Sequence, residues 1–139
     1  MSATTEDRLK SIPLFADLSK RELRKVSSLM TLIEVPAGRT IITQGDVGRE
    51  FMVIVEGSAE VRRDGEHIAT LGMGDFLGEL AVLSGAPRAA DVIASTDMVV
   101  ETLNRREFMS LLDESASIAK KILIGAVQRL HQLETNGSS

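Results

Sequence analysis

The hydrophobic and polar positions of this chain change their period twice, which divides it into a helical start, a β-rich middle and a helical end. Apolar residues from 19 to 30 recur at every third or fourth position, as they do on one face of a helix. Ser19 and Glu22 have the spacing of a capping box. The pattern therefore predicts a helix at about residues 19–30, with a shorter helical lead-in before it that is broken at Pro13.

Short apolar runs alternate with turn-forming clusters through the middle of the chain. Asp64-Gly65 is a strong hairpin signal, because a type I′ turn requires positive φ at both of its central residues. Gly72 to Asp75 forms a second predicted turn. Many short strands with regularly spaced turns indicate a sandwich, roll or barrel. The predicted strands are residues 31–35, 40–43, 51–55, 59–63, 66–71, 89–94 and 98–103.

The helical period resumes after the last predicted strand. Asn104 is a candidate N-cap with Glu107 three residues later, and a final helix is predicted from Ser115 or Ser117 to about Glu134. The final helix has an apolar stripe of Ile118, Ile122, Ala126, Leu130 and Leu133, which Leu123 and Val127 widen. A stripe this wide fits either a helix that touches both its own β-roll and a second subunit or an ordinary docking helix.

Composition narrows the classes of protein to consider. The chain has 139 residues, 43% of them hydrophobic, and no linker or repeat, so we expect a single domain over residues 1–139 with its core at about 9–134. A net charge of −4 argues against a generic nucleic-acid binder. With no cysteine and only His67 and His131, no metal site is expected. No apolar run approaches the ~20 residues that span a bilayer, and no signal peptide is recognised, so a soluble, cytoplasmic protein without a membrane partner is expected.

Residues 76–90 combine features of an anion-binding pocket. Leu80 to Leu83 could form one turn of helix, whose free backbone amides attract an anion. The guanidinium of Arg88 could bind two phosphate oxygens in a bidentate way. Because Glu79 would repel a phosphate, we expect it to accept a hydrogen bond from a sugar hydroxyl of the same ligand, and Gly78 would let the backbone approach that sugar. These roles suggest a nucleotide. By spacing alone, the same residues could equally be a surface loop with a capped turn of helix.

The segment from Phe76 to Ala81, followed by Ala86 to Val92, closely resembles the phosphate-binding cassette of cyclic nucleotide-binding domains. This family includes regulatory subunits of cyclic AMP-dependent protein kinase and the bacterial catabolite activator protein. Other segments are similar to family landmarks, among them Pro36-Ala37-Gly38, Gln44-Gly45-Asp46 and Gly74-Asp75-Phe76. The resemblance extends over nearly the whole chain.

The resemblance implies a mainly β fold, an eight-stranded antiparallel β-roll of jelly-roll type with an N-terminal helix and C-terminal helices. It also implies the ligand contacts. Arg88 would pair with the cyclic phosphate beside the amides of Ala81 and Ala89. Glu79 would accept a hydrogen bond from the ribose 2′-hydroxyl, and the Gly78 backbone would approach the same sugar. Leu80 and Val92 would line the pocket.

The base is less well defined by the cassette. In this family a threonine or serine after the arginine often favours guanine, and Ala89 stands there, so cAMP is the expected ligand, with cGMP as the alternative. Arg129, Leu130 and Leu133 on the final helix are the candidates to cover the base. No metal, further cofactor or catalytic residue is expected.

Three functions compete for this sequence. The first is a regulatory, allosteric sensor of signal transduction, whose ligand repositions the C-terminal helix so that an effector protein or a second copy reads the change. The second is a dimerisation or docking module with an unused pocket. The third is an enzyme, such as a phosphodiesterase or a cupin-like catalyst, which no cluster of histidine and carboxylate supports. No output segment is recognised after the last helix.

Overall fold

The structure is a computed structural model that describes residues 5–47, 50–78 and 87–137; at residues 5, 126 and 129–137 it describes the backbone alone. Helices α1 and α2 and a 3₁₀ turn precede the strands, and α3 and α4 follow them. The helices within the described ranges are α1 Thr5–Lys10, the 3₁₀ turn Pro13–Phe15, α2 Lys20–Leu29, α3 Arg105–Glu114 and α4 Ala116–Gly137.

Eight strands form two antiparallel four-stranded sheets, in the orders β1-β8-β3-β6 and β2-β7-β4-β5. This is the mainly β roll with flanking helices that the family resemblance implied. The strands are β1 Thr31–Val35, β2 Thr40–Ile42, β3 Glu50–Glu56, β4 Ala59–Arg63, β5 Glu66–Leu71, β6 Phe76–Leu77, β7 Asp91–Ala94 and β8 Met98–Asn104.

Two hydrophobic cores lie on opposite faces of the first sheet. Strand β3 is buried from Phe51 to Val55, because alternate side chains enter different cores. Phe51, Val53 and Val55 pack against the helices. Met52 and Ile54 pack between the sheets, with Val92 and Ala94 of β7. The first sheet therefore lies between the helices and the second sheet, whose strand β7 begins three residues after Arg88.

The predicted helix starts are confirmed. Ser19 and Asn104 each accept a hydrogen bond from the glutamate amide three residues later, and each glutamate side chain accepts one from the cap amide. At the last helix Ser115 is the cap, since its hydroxyl accepts from the Ile118 amide at 3.2 Å. These bonds satisfy backbone donors that a helix start leaves free.

Some boundaries differ from the sequence prediction. Strand β7 begins at Asp91 rather than at residue 89, and α4 runs to Gly137. The two-residue strand β6 is too short to give a periodic signal. The Asp64-Gly65 turn has the expected positive φ values of 53° and 82°. In the part of the chain that the structure describes, no helix has the length and hydropathy to cross a membrane.

Candidate anion-binding site

Arg88 is fixed by its backbone to the turn between β2 and β3. Its amide donates to the Asp46 carbonyl at 2.7 Å, and its carbonyl accepts from the Gly45 amide at 2.9 Å. Pro87 forms an isolated antiparallel bridge with Val47. Two short segments that lie far apart in the sequence are thereby joined immediately before β7.

The Arg88 side chain is directed into the protein. It is 9% exposed, and its Nη2 donates to the Glu50 carbonyl at 2.7 Å. A guanidinium held by backbone groups in a pocket is prepared for an anion, because little side-chain freedom remains to be lost on binding. Arg88 contributes to the wall of a cavity of about 170 Å³, whose other described lining residues are Ile41, Ile42, Thr43, Asp46, Val47, Glu50 and Met52.

Gly78 lies against the same guanidinium. Its φ is +90°, and a Cβ atom built there would lie 2.5 Å from Arg88 Nη1 and 2.5 Å from the Glu50 carbonyl oxygen. Both the conformation and the space favour glycine. The group that the Gly78 backbone approaches here is the Arg88 guanidinium. The predicted approach of the same backbone to a ribose stays a prediction.

Ala89 and Val92 follow Arg88 in the sequence. Ala89 lies in the bend between Arg88 and β7, and Val92 is 5% exposed within the core between the sheets. The predicted residues Glu79, Leu80 and Ala81 lie outside the described residues, as does the predicted turn of helix at 80–83. Residues Arg129, Leu130 and Leu133 belong to α4, and their side chains are also outside the description.

Gln44, next to the turn that bonds Arg88, makes hydrogen bonds that the sequence did not predict. Its side-chain amide pairs with Asp64, and its backbone amide donates to Asp91 Oδ1 at 2.7 Å. The available signal was its position in the Gln44-Gly45-Asp46 landmark, directly before the two residues that bond Arg88. Pattern alone did not show that the β4–β5 hairpin would be its partner.

A second close contact joins the strand before Gly78 to the last helix. A Cβ atom at Gly125 of α4 would lie 2.5 Å from Phe76 Cζ. The Phe76 ring also lies 5.8 Å from the Phe51 ring, measured between centroids. Phe76 therefore contacts both the helix-side core and the backbone of α4, two residues before Gly78.

One buried acid lies outside this site. Glu101 of β8 is 1% exposed, and neither carboxylate oxygen has a hydrogen-bond partner among the described residues. Burial raises the pKa of Glu101, and the positive charge of Arg8 partly opposes that shift. Across the described ranges, no three His, Asp or Glu side chains are grouped so as to hold a metal ion.

The family model described as "Cyclic nucleotide-binding domain" matches residues 32–115, more than half of the chain. The chain belongs to the cyclic nucleotide-binding domain family. Both sheets, the Arg88 segment and α3 fall largely within the match. The family resemblance inferred from residues 76–92 is confirmed.

Relatives of this cyclic nucleotide-binding domain include regulatory subunits. The cAMP-dependent protein kinase regulatory subunit of Mycosarcoma maydis is 43% identical over 128 residues, which cover 86% of this chain and 24% of the relative. The chain spans 24 to 32% of the length of the first three curated relatives.

Two solved structures have the same fold. PfPKA-R with cAMP bound is 30% identical, with a TM-score of 0.85, and the similarity covers 95% of this chain and 46% of that one. The regulatory subunit of a cAMP-independent protein kinase A from Trypanosoma brucei is 33% identical, with a TM-score of 0.75, covering 86% and 46%. Similar folds thus occur in proteins described as cAMP-bound and as cAMP-independent.

Proposed function

We propose that this domain is a sensor of cyclic nucleotide, with cAMP as its ligand. The observation that carries the proposal is the Arg88 guanidinium, which is 9% exposed, fixed by the Glu50 carbonyl and adjacent to a cavity. A cyclic phosphodiester carries one negative charge and two free oxygens, which a guanidinium binds with charge-assisted hydrogen bonds.

The other proposed contacts divide the ligand between phosphate and sugar. Ala81 and Ala89 would offer amides to the phosphate beside Arg88. Glu79 would accept a hydrogen bond from the ribose 2′-hydroxyl, and Gly78 would approach the same sugar through its backbone. Leu80 and Val92 would contribute the apolar wall. The contact between Gly78 and Arg88 supports this division, because it brings the sugar-binding and phosphate-binding segments together.

The proposed preference for adenine depends on residue 89. A threonine or serine at that position has a hydroxyl that can accept a hydrogen bond from the exocyclic amine of guanine, and alanine lacks it. Arg129, Leu130 and Leu133 of α4 are proposed to cover the base. The relative named as cAMP-bound supports the same choice of nucleotide.

Ligand binding is proposed to change how α4 docks. The contact between Phe76 and Gly125 supports this coupling, because Phe76 is the first residue of the cassette and packs on the α4 backbone. A ligand shifts such an equilibrium only by binding one arrangement more tightly than the other. An effector protein, or a second copy that pairs through the C-terminal helix, would then read the position of α4.

Isothermal titration calorimetry with cAMP and cGMP tests the proposal. We expect saturable binding of cAMP, weaker binding of cGMP, and a loss of roughly a hundredfold or more in affinity for Arg88→Ala and Glu79→Ala, since each leaves a charged or polar ligand group without its partner. Arg39→Ala is the matched control, because Arg39 is an exposed arginine next to the β1–β2 turn. No binding at millimolar cAMP, or equal binding by Arg88→Ala, would contradict the proposal.

The second candidate is a docking or dimerisation module whose pocket is unused. The similarity to a regulatory subunit described as cAMP-independent favours it. Sedimentation velocity with and without nucleotide, together with the calorimetry above, separates the two, because a docking module would keep the same association state and show no heat of cAMP binding. We also propose that the domain is not an enzyme, so cAMP recovered after long incubation should be unhydrolysed.

A further inference from the structure

The turn that holds Arg88 is itself held at one side by Gln44. Gly45 and Asp46 make the two backbone hydrogen bonds to Arg88, and Gln44 directly precedes them. The Gln44 backbone amide donates to Asp91 Oδ1 at 2.7 Å. Because Asp91 begins β7, this bond fixes the turn against the second sheet.

The Gln44 side chain makes a two-point pair with the tip of the β4–β5 hairpin. Its Nε2 donates to Asp64 Oδ1 at 2.8 Å, and its Oε1 accepts from the Asp64 backbone amide at 2.9 Å. Asp64 is held at a φ of 53° within the hairpin turn, so its amide and carboxylate have a fixed relative orientation. Only a side chain with both a donor and an acceptor completes this pair in the wild-type protein.

We propose that Gln44 is a positioning residue for anion binding: it ties the hairpin to the β2–β3 turn and thereby fixes the backbone of Arg88. The proposal rests on the function proposed above and adds a residue that acts through the turn. Exposed polar pairs contribute little to the free energy of unfolding. Loss of the pair should therefore affect the position of Arg88 more than the stability of the fold.

The chemistry of the pair permits a rescue experiment. Gln44→Glu would place two carboxylates about 2.8 Å apart, the present Nε2–Oδ1 distance, and they would repel each other. Adding Asp64→Asn restores the pair in reverse, because the introduced side-chain amide and the backbone amide at position 64 donate to the two oxygens of the introduced carboxylate. Asparagine also tolerates the left-handed conformation at that position. Asp64→Asn alone keeps an amide-to-amide pair and is the mild variant.

The experiment measures cAMP affinity by calorimetry for the wild type and these variants. We expect Gln44→Ala and Gln44→Glu to bind roughly tenfold more weakly, the usual size of the loss when an outer residue that orients a binding group is removed. The exchanged pair, Gln44→Glu with Asp64→Asn, should return to within about twofold of the wild type, because its hydrogen bonds are restored. For Gln44→Glu alone, affinity should rise as the pH is lowered and the introduced carboxylate is protonated.

Asp97→Ala provides a matched structural control. Asp97 Oδ1 accepts from the Ala37 amide at 2.9 Å, which is a similar side-chain bond to a turn at another part of the roll. This variant should lose comparable stability and retain cAMP affinity. Equal cAMP affinity for the wild type, Gln44→Ala and Gln44→Glu would overturn the proposal, and so would a failure of the exchanged pair to recover.

The Arg88 Nε–Hε resonance in ligand-free protein gives a readout that does not depend on the nucleotide. Gln44→Ala should shift or broaden this resonance, and Asp97→Ala should leave it in place. If the wild type binds no cyclic nucleotide, the proposed function fails, and this resonance then decides the positioning role separately. An unchanged Arg88 resonance in Gln44→Ala would overturn that role as well.

Discussion

At the scale of single residues, the site depends on two closely constrained positions, Gly78 and Arg88. Gly78 is the clearest case, since its φ of +90° and its approach to both Arg88 and the Glu50 carbonyl leave no room for a Cβ atom. Arg88 is also constrained, because its backbone bonds the turn after β2 and its side chain bonds Glu50 at the start of β3. A change at either residue should therefore move the guanidinium.

Gly78→Ala should reduce both stability and nucleotide affinity. We expect a loss of about 1–3 kcal/mol in the free energy of unfolding, from the left-handed conformation and the overlap, and at least a tenfold loss in cAMP affinity. Gly38→Ala is the control, because Gly38 has a φ of +89° with nothing within 4 Å of its added Cβ. It should lose stability alone. Urea denaturation and calorimetry measure the two effects, and unchanged affinity in Gly78→Ala would refute the role of this contact.

Glu101 should make stability depend on pH. Its pKa is raised in the folded state above the ordinary value of 4.5, so the folded protein binds this proton more tightly than the unfolded chain does. The contribution of the protonated Glu101 carboxyl to the free energy of unfolding is fully present below pH 4.5 and is lost as the pH rises through the raised pKa.

Glu101→Gln, which stays neutral, should match the wild type at low pH and be more stable by about 1–3 kcal/mol near pH 8. Urea denaturation from pH 4 to pH 8 measures the difference. Glu34→Gln, on an exposed residue of β1, is the control and should show no such trend. A Glu101→Gln difference that does not vary with pH would mean that the carboxyl is not buried as a charge.

At the scale of elements, α4 is the helix that contacts β6, the strand at the start of the cassette. Its start is fixed by Ser115, and Ile118 and Ile122 are buried in the helix-side core. By contrast, Leu123 and Val127 are 63% and 57% exposed. Among the described side chains, the wide apolar stripe predicted from the sequence thus includes both buried and exposed positions.

Gly125→Ala should destabilise the protein although alanine favours helices. Alanine gains about 1 kcal/mol of helix propensity over glycine, but its Cβ would lie 2.5 Å from Phe76 Cζ. Overlap of this kind costs about 1–3 kcal/mol, so a small net loss is expected. In a Phe76→Leu background the same substitution should become stabilising. Denaturant unfolding of the four proteins gives the coupling, and additive effects would show that the two residues do not press on each other.

At the scale of the whole molecule, two cores share one sheet. The sequence predicts most of the strands and helices but not this division into two cores. Strand and helix periods, the capping boxes and the Asp64-Gly65 turn are local signals, so they could be recognised without the fold. The pairing of Gln44 with Asp64 and the contact of Phe76 with Gly125 could not, because each joins residues that only the folded chain brings together. Strand β6 was not predicted from the sequence, because two residues are too few to show a period. That residues 1–139 form a single domain stays a prediction.

The central claim is that Arg88 binds the phosphate of a cyclic nucleotide. The most direct measurement is the ³¹P NMR spectrum of cAMP with the wild type, Arg88→Ala and the control Arg39→Ala, because it observes the phosphate itself. We predict a distinct bound signal with the wild type and with Arg39→Ala, and its loss with Arg88→Ala at the same concentrations. No bound signal with the wild type, or the same bound signal with Arg88→Ala, would contradict the claim.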